Sequence, residues 1–441
     1  MLKLRYILRL IGAFLSRFKI LILIFIGLGI ISFFLLKFLM PIINQPQTLR
    51  VGLTGRYTLS TLPTSVLSMI GDGLTKLDVD GGVVPDIAGK WESPDKGKTW
   101  IFTIKDNLFW QDGKKVLSSD IIYQFSDVTI ERSNDKTIIF KLQNPYSAFP
   151  SVVSRPVFKS GLLGTGAYRV TNISLNGSVV EQLSMENKKG TSIIYKFYPT
   201  EEQTKLALEL GWVDRISDIF DPSPFDGWSK MKVVENSNTG EYVSVFFNTQ
   251  DKLLAEKNIR QALSYAIDKD ALGGERAISP ISIDSWAYNS QVKPYDYDPV
   301  KAKSMINDYK KTSKLTDISI NLTTTPLLLG KAEIITKNWE DVGVKVNVQV
   351  VTQIPSDYQA FLAIFDIPDD PDQYSMWHST QTATNLTHYQ NPRIDKLLED
   401  GRSEIGIEDR KKIYLDFQRF LVEDSPAAFL YYPTTYTIGR K

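Results

Sequence analysis

The longest unbroken run of hydrophobic positions lies near the start of the chain. From Ile20 to Leu36 it reads ILILIFIGLGIISFFLL, interrupted only by Ser32 and two glycines. Lys37 can snorkel, and Phe38 to Ile43 carries the apolar stretch past it. At about 1.5 Å per residue, a helix over Ile20 to Leu36 suffices for a thin bilayer core or an untilted crossing. Lys3, Arg5, Arg9, Arg17 and Lys19 precede the run and Lys37 ends it, so the positive-inside rule places the N-terminus in the cytoplasm. A cleaved signal peptide is the other reading. The run is long for a signal h-region, however, and no small-x-small cleavage site follows it. The pattern therefore predicts a basic head and one N-terminal transmembrane helix over residues 1–46, with everything beyond about Pro41 extracytoplasmic. Asn44 to Thr48 (NQPQT) reads as a short linker.

Beyond the linker, periods of two and of 3.6 alternate, which predicts an α/β fold. Leu49–Leu53, Trp100–Lys105 and Thr137–Leu142 read as strands. Thr200-Glu-Glu-Gln203 is a capping box opening a helix towards Gly211. Over 256–272, Ile259, Ala262, Leu263, Ala266 and Ile267 form one apolar stripe. Residues 330–341 read as a helix ending at Gly343, followed by a strand with Val344, Val346, Val348 and Val350 on one face. Pro392–Asp395 and Glu408–Glu423 supply two further helices.

Composition narrows the chemistry. At 441 residues the chain exceeds what one core usually serves, and 43% hydrophobic with 23% charged residues is ordinary for a globular protein. The absence of Cys removes disulfides, thiolate metal sites, thiol nucleophiles and a lipid-modified Cys anchor, and two His are too few for a multi-histidine zinc site. Eight cations precede the first acidic residue, Asp72. The remaining 43 Lys and Arg stand against 50 Asp and Glu, so the body carries about −7. A basic head on an acidic body argues for a membrane and against nucleic acid.

Eight blocks, in order, resemble the family 5 extracellular solute-binding proteins, the oligopeptide, dipeptide and nickel receptors of ATP-binding-cassette importers. They include Asp80–Trp91 (DGGVVPDIAGKW), Lys98–Phe125 (KTWIFTIKDNLFWQDGKKVLSSDIIYQF), Gly164–Val170 (GTGAYRV), Gly211–Asp214, Phe246–Leu272 (FFNTQDKLLAEKNIRQALSYAIDKDAL) and Asp296–Ile306. Each is weak alone; their common order is specific. The resemblance implies two lobes that close on a ligand about a hinge, the fold of periplasmic binding proteins. Lobe one is then expected over 47–249, completed by 419–441, and lobe two over 250–418. The hinge strands would cross near Asn248 and Tyr432. One departure from the pattern is the short stretch between Phe125 and Thr137, where many members carry a longer helical excursion that walls the pocket.

The resemblance also nominates a ligand contact. Ala363–Tyr374 (AIFDIPDDPDQY) is similar to the family's loop in which an Asp pairs with a peptide's α-ammonium, and Asp366 takes that place. A partly desolvated carboxylate facing an ammonium makes a charge-assisted hydrogen bond. An exposed acidic turn is the plainer alternative, and a calcium loop is disfavoured because EF-hand spacing is absent. Tyr57, Trp110, Trp286, Trp377 and Tyr389 are aromatic candidates for the cleft wall, each weighed against core packing. Trp377 leads because it follows the Asp loop closely. Asn385 matches a family Asn that either closes a loop or meets ligand. His378 alone gives little support for nickel. Gly164-Thr-Gly166 lacks the Lys-Ser/Thr of a phosphate loop, and Arg260 and Asp268 are expected to cap or pair locally.

The expectation is a membrane-tethered receptor that captures peptides or similar solutes and hands them to importer permease subunits, with no cofactor. A hydrolase finds no G-x-S-x-G, H-E-x-x-H or recognisable triad. An extracellular interaction or sensory module that kept the fold and lost transport remains open.

Overall fold

The computed structural model describes residues 2–43, 48–355 and 357–441. Its first helix, Leu2–Ile43, carries exposed apolar side chains such as Phe14, Ile24, Phe25, Ile31 and Phe34. It bends by 55° between Gly12–Leu21 and Ile24–Leu35. Among the described residues no single helix is long and apolar enough to cross a membrane; only this bent pair meets the length and composition together.

The remainder is built on two large sheets, a four-stranded sheet and a two-stranded ribbon of Thr75–Leu77 and Val83–Pro85. The first is seven-stranded, in the order Met231–Ser237, Thr434–Arg440, Arg215–Ile219, Thr48–Thr54, Ser192–Tyr198, Val179–Asn187 and Tyr168–Asn176. Within it, Thr48–Thr54 runs parallel to both Ser192–Tyr198 and Arg215–Ile219, so these three strands end on the same side. A four-stranded antiparallel unit, Ala88–Glu92, Thr99–Ile104, Thr137–Leu142 and Val128–Asn134, has its own core around Phe102, Phe140 and Phe149. The second large sheet is six-stranded: Glu275–Arg276, Ala427–Tyr432, Glu241–Phe247, Ala360–Asp366, Ile318–Thr324 and Val344–Val350. Its core, centred on Phe246, Phe247, Trp339 and Phe417, is separate from those of the seven-stranded sheet, as expected of units that bury their own apolar faces.

The chain crosses between the large sheets twice. One crossing is Asn238–Gly240, between the Met231–Ser237 and Glu241–Phe247 strands. The other is Pro433, between Ala427–Tyr432 and Thr434–Arg440. The Asn238 N–H donates to the Pro433 carbonyl at 2.8 Å, so the two crossings lie side by side. Strands Glu241–Phe247 and Ala427–Tyr432 therefore sit in the second sheet; of the expected boundaries, 249/250 falls just after the first of these strands and 418/419 within the helix Ile407–Asp424 that precedes the second. Asn248 is not at a crossing: its amide donates to the Tyr358 carbonyl at 2.9 Å within the second unit. Tyr432 immediately precedes one.

Local signals account for most elements. Thr200 Oγ1 accepts from Gln203 N to start the helix Glu201–Glu209. The helix Leu329–Asp341 gives way to Gly343 at φ +91°, then to Val344–Val350. The helix expected over 256–272 stops at Ala266, because the buried Lys269 ammonium reaches back to the carbonyls of Ser264 and Ile267. Gly164 and Gly166 have a packing role. A Cβ at Gly164 would lie 2.2 Å from the Ile70 carbonyl oxygen, a backbone atom that cannot swing away. Gly164→Ala is expected to lower unfolding free energy by about 1–3 kcal/mol, read from urea denaturation, through overpacking.

Candidate functional site

Parallel strands gather ligands outside their C-terminal ends, because there the backbone and following loops converge on a crevice. In the seven-stranded sheet that end carries Thr54, Tyr198 and Ile219 and faces the crossings. Tyr57 sits there half-buried, edge-on to Phe197 at 5.2 Å, with its hydroxyl donating to the Thr54 carbonyl at 2.9 Å. Gly55 makes the approach possible: at φ +135°, a Cβ would fall 2.6 Å from the Tyr57 ring.

Across the crossings, strand alternation sorts the second sheet's side chains. Tyr242, Phe246 and Phe365 pack together on one face, with Phe429 against Tyr242. Glu241, Val243, Ile364 and Asp366 lie on the other, since residues two apart in a strand share a face. Glu241 stands directly opposite Asp366 in the antiparallel register. The Glu241 carboxyl is pushed up to about 7, first by burial, then by its hydrogen bond with Asp366, then by the negative charges of Asp366 and Asp218. The Glu241 proton is therefore retained towards neutral pH, and a cation placed beside it would favour its release.

Next to this pair, a cavity of about 360 Å³ opens between the sheets. Val243, Ile364 and Tyr431 form its floor, and Gly273, Leu327, Leu328 and Lys331 its wall on the same side. Phe220, Glu235 and Tyr436 close it from the first sheet. The Lys331 ammonium donates to the Leu272 carbonyl at 2.5 Å and lies 5.9 Å from the Tyr431 ring. Gly274, at φ +77°, lets the chain pass where a Cβ would stand 2.7 Å from that ring. The arrangement offers an anionic rim, an apolar body and one cation, which suits an amphipathic solute with an ammonium group.

The loop that follows Asp366 is held from behind. Asp370 accepts from Arg410 Nη1 at 2.8 Å and from Nη2 at 2.5 Å, and Asp372 accepts from Arg402 Nε at 3.0 Å. Burial raises the Asp372 carboxyl, opposed by the Arg402 charge. Asp370 and Asp372 are buried and structural, whereas Asp366 and Asp369 are exposed. Arg402 also places its guanidinium 4.7 Å from the Tyr146 ring of the four-stranded unit, while Ser147 N donates to the Arg402 carbonyl at 2.7 Å. The Asp366 loop is thus braced against both units.

Of the seven expected contacts, Asp366 stands opposite Glu241 in the second sheet and Tyr57 sits at the ends of the first sheet's parallel strands, although neither lines the cavity itself. The other five are spent elsewhere. Trp286 packs edge-on to Tyr414 at 6.3 Å, and Tyr389 is buried with its hydroxyl donating to Asp424. Trp377 is fully buried in the second core, 6.2 Å from Phe429. Trp110 is buried in the four-stranded unit and donates its indole N–H to Asp120 at 3.0 Å. Asn385 is buried, with its amide on the Tyr389 carbonyl and its oxygen accepting from Thr387, a loop-closing role. Large aromatics and polar loop residues look alike in sequence whether they face a core or a cleft. Glu241 and Lys331 were not singled out. Glu241 was legible as an acid placed two residues before Val243 on the same parity.

The fold is a mixed α/β one, built on two large sheets with a cavity between them. Residues 82–129 and 123–385 match the family described as bacterial extracellular solute-binding proteins, family 5 Middle, and the chain belongs to that family. It is 23% identical over 458 aligned residues to the oligopeptide-binding protein AppA of Bacillus subtilis, covering 86% of this chain and 84% of that protein. It also resembles the dipeptide-binding protein of Escherichia coli, 22% identical over 453 residues, covering 81% of this chain and 82% of the relative. Among solved structures, NikZ from Campylobacter jejuni in complex with Ni(L-His) superposes with a TM-score of 0.71 at 22% identity, covering 89% of this chain and 94% of that one.

The raised Glu241 carboxyl carries a pH prediction. An unfolded Glu titrates near 4.5, so between about 4.5 and 7 the folded chain holds a proton that the unfolded chain releases. Stability contributed by Glu241 is therefore present on the acid side of this window and lost as pH rises through it. Glu241→Gln, neutral throughout, should flatten this part of the profile in denaturation series from pH 4 to 8.

Proposed function

We propose that this chain is a membrane-tethered, extracytoplasmic substrate receptor of an ATP-binding-cassette importer that captures short peptides or similar amines between two closing lobes. The observation that carries the reading is the Glu241–Asp366 pair beside an inter-lobe cavity lined by Val243, Ile364 and Tyr431. A ligand ammonium would displace the Glu241 proton and lie between the two carboxyl groups, with apolar side chains entering the cavity. Hinging would occur at Asn238–Gly240 and Pro433, and Tyr57 would meet the ligand from lobe one. AppA and the dipeptide receptor are named for peptides, and that supports the class.

The tether is read from the Leu2–Ile43 helix, whose exposed residues between Phe14 and Leu35 are predominantly apolar, as only a lipid environment favours. The apolar run Ile20 to Leu36 within it would cross the bilayer, with Lys3, Arg5, Arg9, Arg17 and Lys19 on the cytoplasmic side. With no Cys to carry a lipid, this helix is the means of attachment that the sequence offers.

Thermal midpoints of the full chain, measured with free-amine peptides, N-acetylated peptides, amino acids, sugars and divalent metals, test the reading. A ligand at a hundred times its Kd stabilises by about 2.7 kcal/mol. Free-amine peptides should raise the midpoint and their N-acetylated forms should not. A shift with sugars or metals alone would contradict it.

A further inference from the structure

We propose that lobe one rests on an anionic membrane surface through the end of its seven-stranded sheet opposite the cleft. The proposal relies on the tether described above and goes beyond it, because it assigns a second membrane contact to the folded body.

Topology separates the two ends of that sheet. Thr48, Ser192, Arg215 and Met231 begin strands at one end, where Asn187 and Arg440 finish theirs; the register pairs Thr48 with Ser192, Arg215 with Gly439 and Met231 with Arg440. The cleft and both crossings lie at the other end, a strand length of roughly 20–24 Å away. The long helix ends at Ile43 and the first strand begins at Thr48. Five Cα steps of at most about 3.6 Å therefore hold this end within about 18 Å of the helix terminus.

The side chains gathered there suit a lipid headgroup layer. Trp212 is 53% exposed and Trp228 43%, and Leu206 and Leu210 are exposed on the helix leading to Trp212. Exposed Trp is the residue that membrane interfaces select, apolar on its ring and able to donate at its edge. Around them stand the exposed cations Lys188, Lys189, Arg215, Lys230, Lys232 and Lys441. The acids nearby are fewer: Glu186, Glu209 and Asp226 are exposed, while Asp214 is paired with Arg50 at 2.6 Å. A basic, tryptophan-bearing end on a body of net charge about −7 is complementary to anionic lipid. In this pose lobe two and the cleft point away from the bilayer, towards the medium that supplies ligand.

The chain has no cysteine, so S229C and S237C each provide one attachment point, at the basic end and at the cleft end. The full chain, labelled with a fluorophore at either position, is reconstituted in phosphatidylcholine vesicles with and without phosphatidylglycerol and with a headgroup-nitroxide quencher lipid. Quenching should be several-fold stronger at 229 than at 237 in anionic vesicles. It should fall at 229 in K188E/K189E/K230E and at high salt, with the thermal midpoint unchanged. A W212F/W228F variant, which keeps every charge, should also lower it. Equal quenching at both positions, or quenching at 229 indifferent to charge reversal, would overturn the proposal and point to a protein partner for this surface. Failure of the chain to float with either vesicle would remove the tether, and this proposal with it. Peptide capture, read by calorimetry, would be unaffected.

Discussion

Asp366→Ala is expected to weaken capture of a free-amine peptide by about 10- to 150-fold, the equivalent of about 1.5–3 kcal/mol for a hydrogen bond to a charged group. Calorimetric titration of the full chain at pH 7.5 measures it. The cause is specific: Asp366 completes the anionic pair, and without it Glu241 alone must meet the ammonium. Glu241→Gln should lose a comparable factor and abolish proton release on binding near pH 7, because the proton released is the one held by Glu241. For an N-acetylated peptide, Asp366→Ala should change little. An equal loss for both peptides would mean that Asp366 shapes the loop without meeting the amine.

The largest expected loss of stability lies behind that loop. Arg410 is 4% exposed, bonds both oxygens of Asp370 and donates Nε to the Gly401 carbonyl at 2.9 Å. Arg410→Ala leaves a carboxylate uncompensated in the interior, at a cost of about 3–5 kcal/mol in urea unfolding. Replacing both partners with apolar residues of similar volume, Asp370→Leu with Arg410→Met, should cost far less, because no charge is then stranded. The two variants separate the penalty of an unpaired charge from the worth of the pair. Since the pair fixes the loop carrying Asp366, the folded fraction of Arg410→Ala should also bind peptide more weakly.

The elements that the sequence revealed are those with short-range causes. Thr200 as an N-cap, Gly343 after a helix and the valines of Val344–Val350 each act within a few residues. The helix beginning at Lys257 was readable, but its end at Ala266 was not, since it depends on Lys269 being drawn to carbonyls that include Tyr295, 26 residues away. The lobe boundary was shifted for a related reason. The run Tyr242 to Phe247 reads as one strand wherever it lies, and only its pairing with Ala360–Asp366 assigns it to lobe two. In the site, Asp366 is nominated by a motif and Tyr57 as one of several aromatic candidates for the cleft wall. Trp377, which leads the aromatic candidates, is turned inward by tertiary packing, as are Trp110 and Asn385. Glu241 and Lys331 carry no motif; Lys331 becomes a site residue because distant segments converge on one cavity, and Glu241 because the strand register sets it opposite Asp366.

The most direct measurement is of the lobes themselves. The absence of cysteine allows spin labels to be placed cleanly at N176C in lobe one and K303C in lobe two, and their separation can be measured by pulsed dipolar spectroscopy. Closure about Asn238–Gly240 and Pro433 predicts a distance distribution that shifts and narrows when a free-amine peptide is added, and does not when the same peptide is N-acetylated. An identical distribution with and without every peptide that binds would contradict capture between closing lobes.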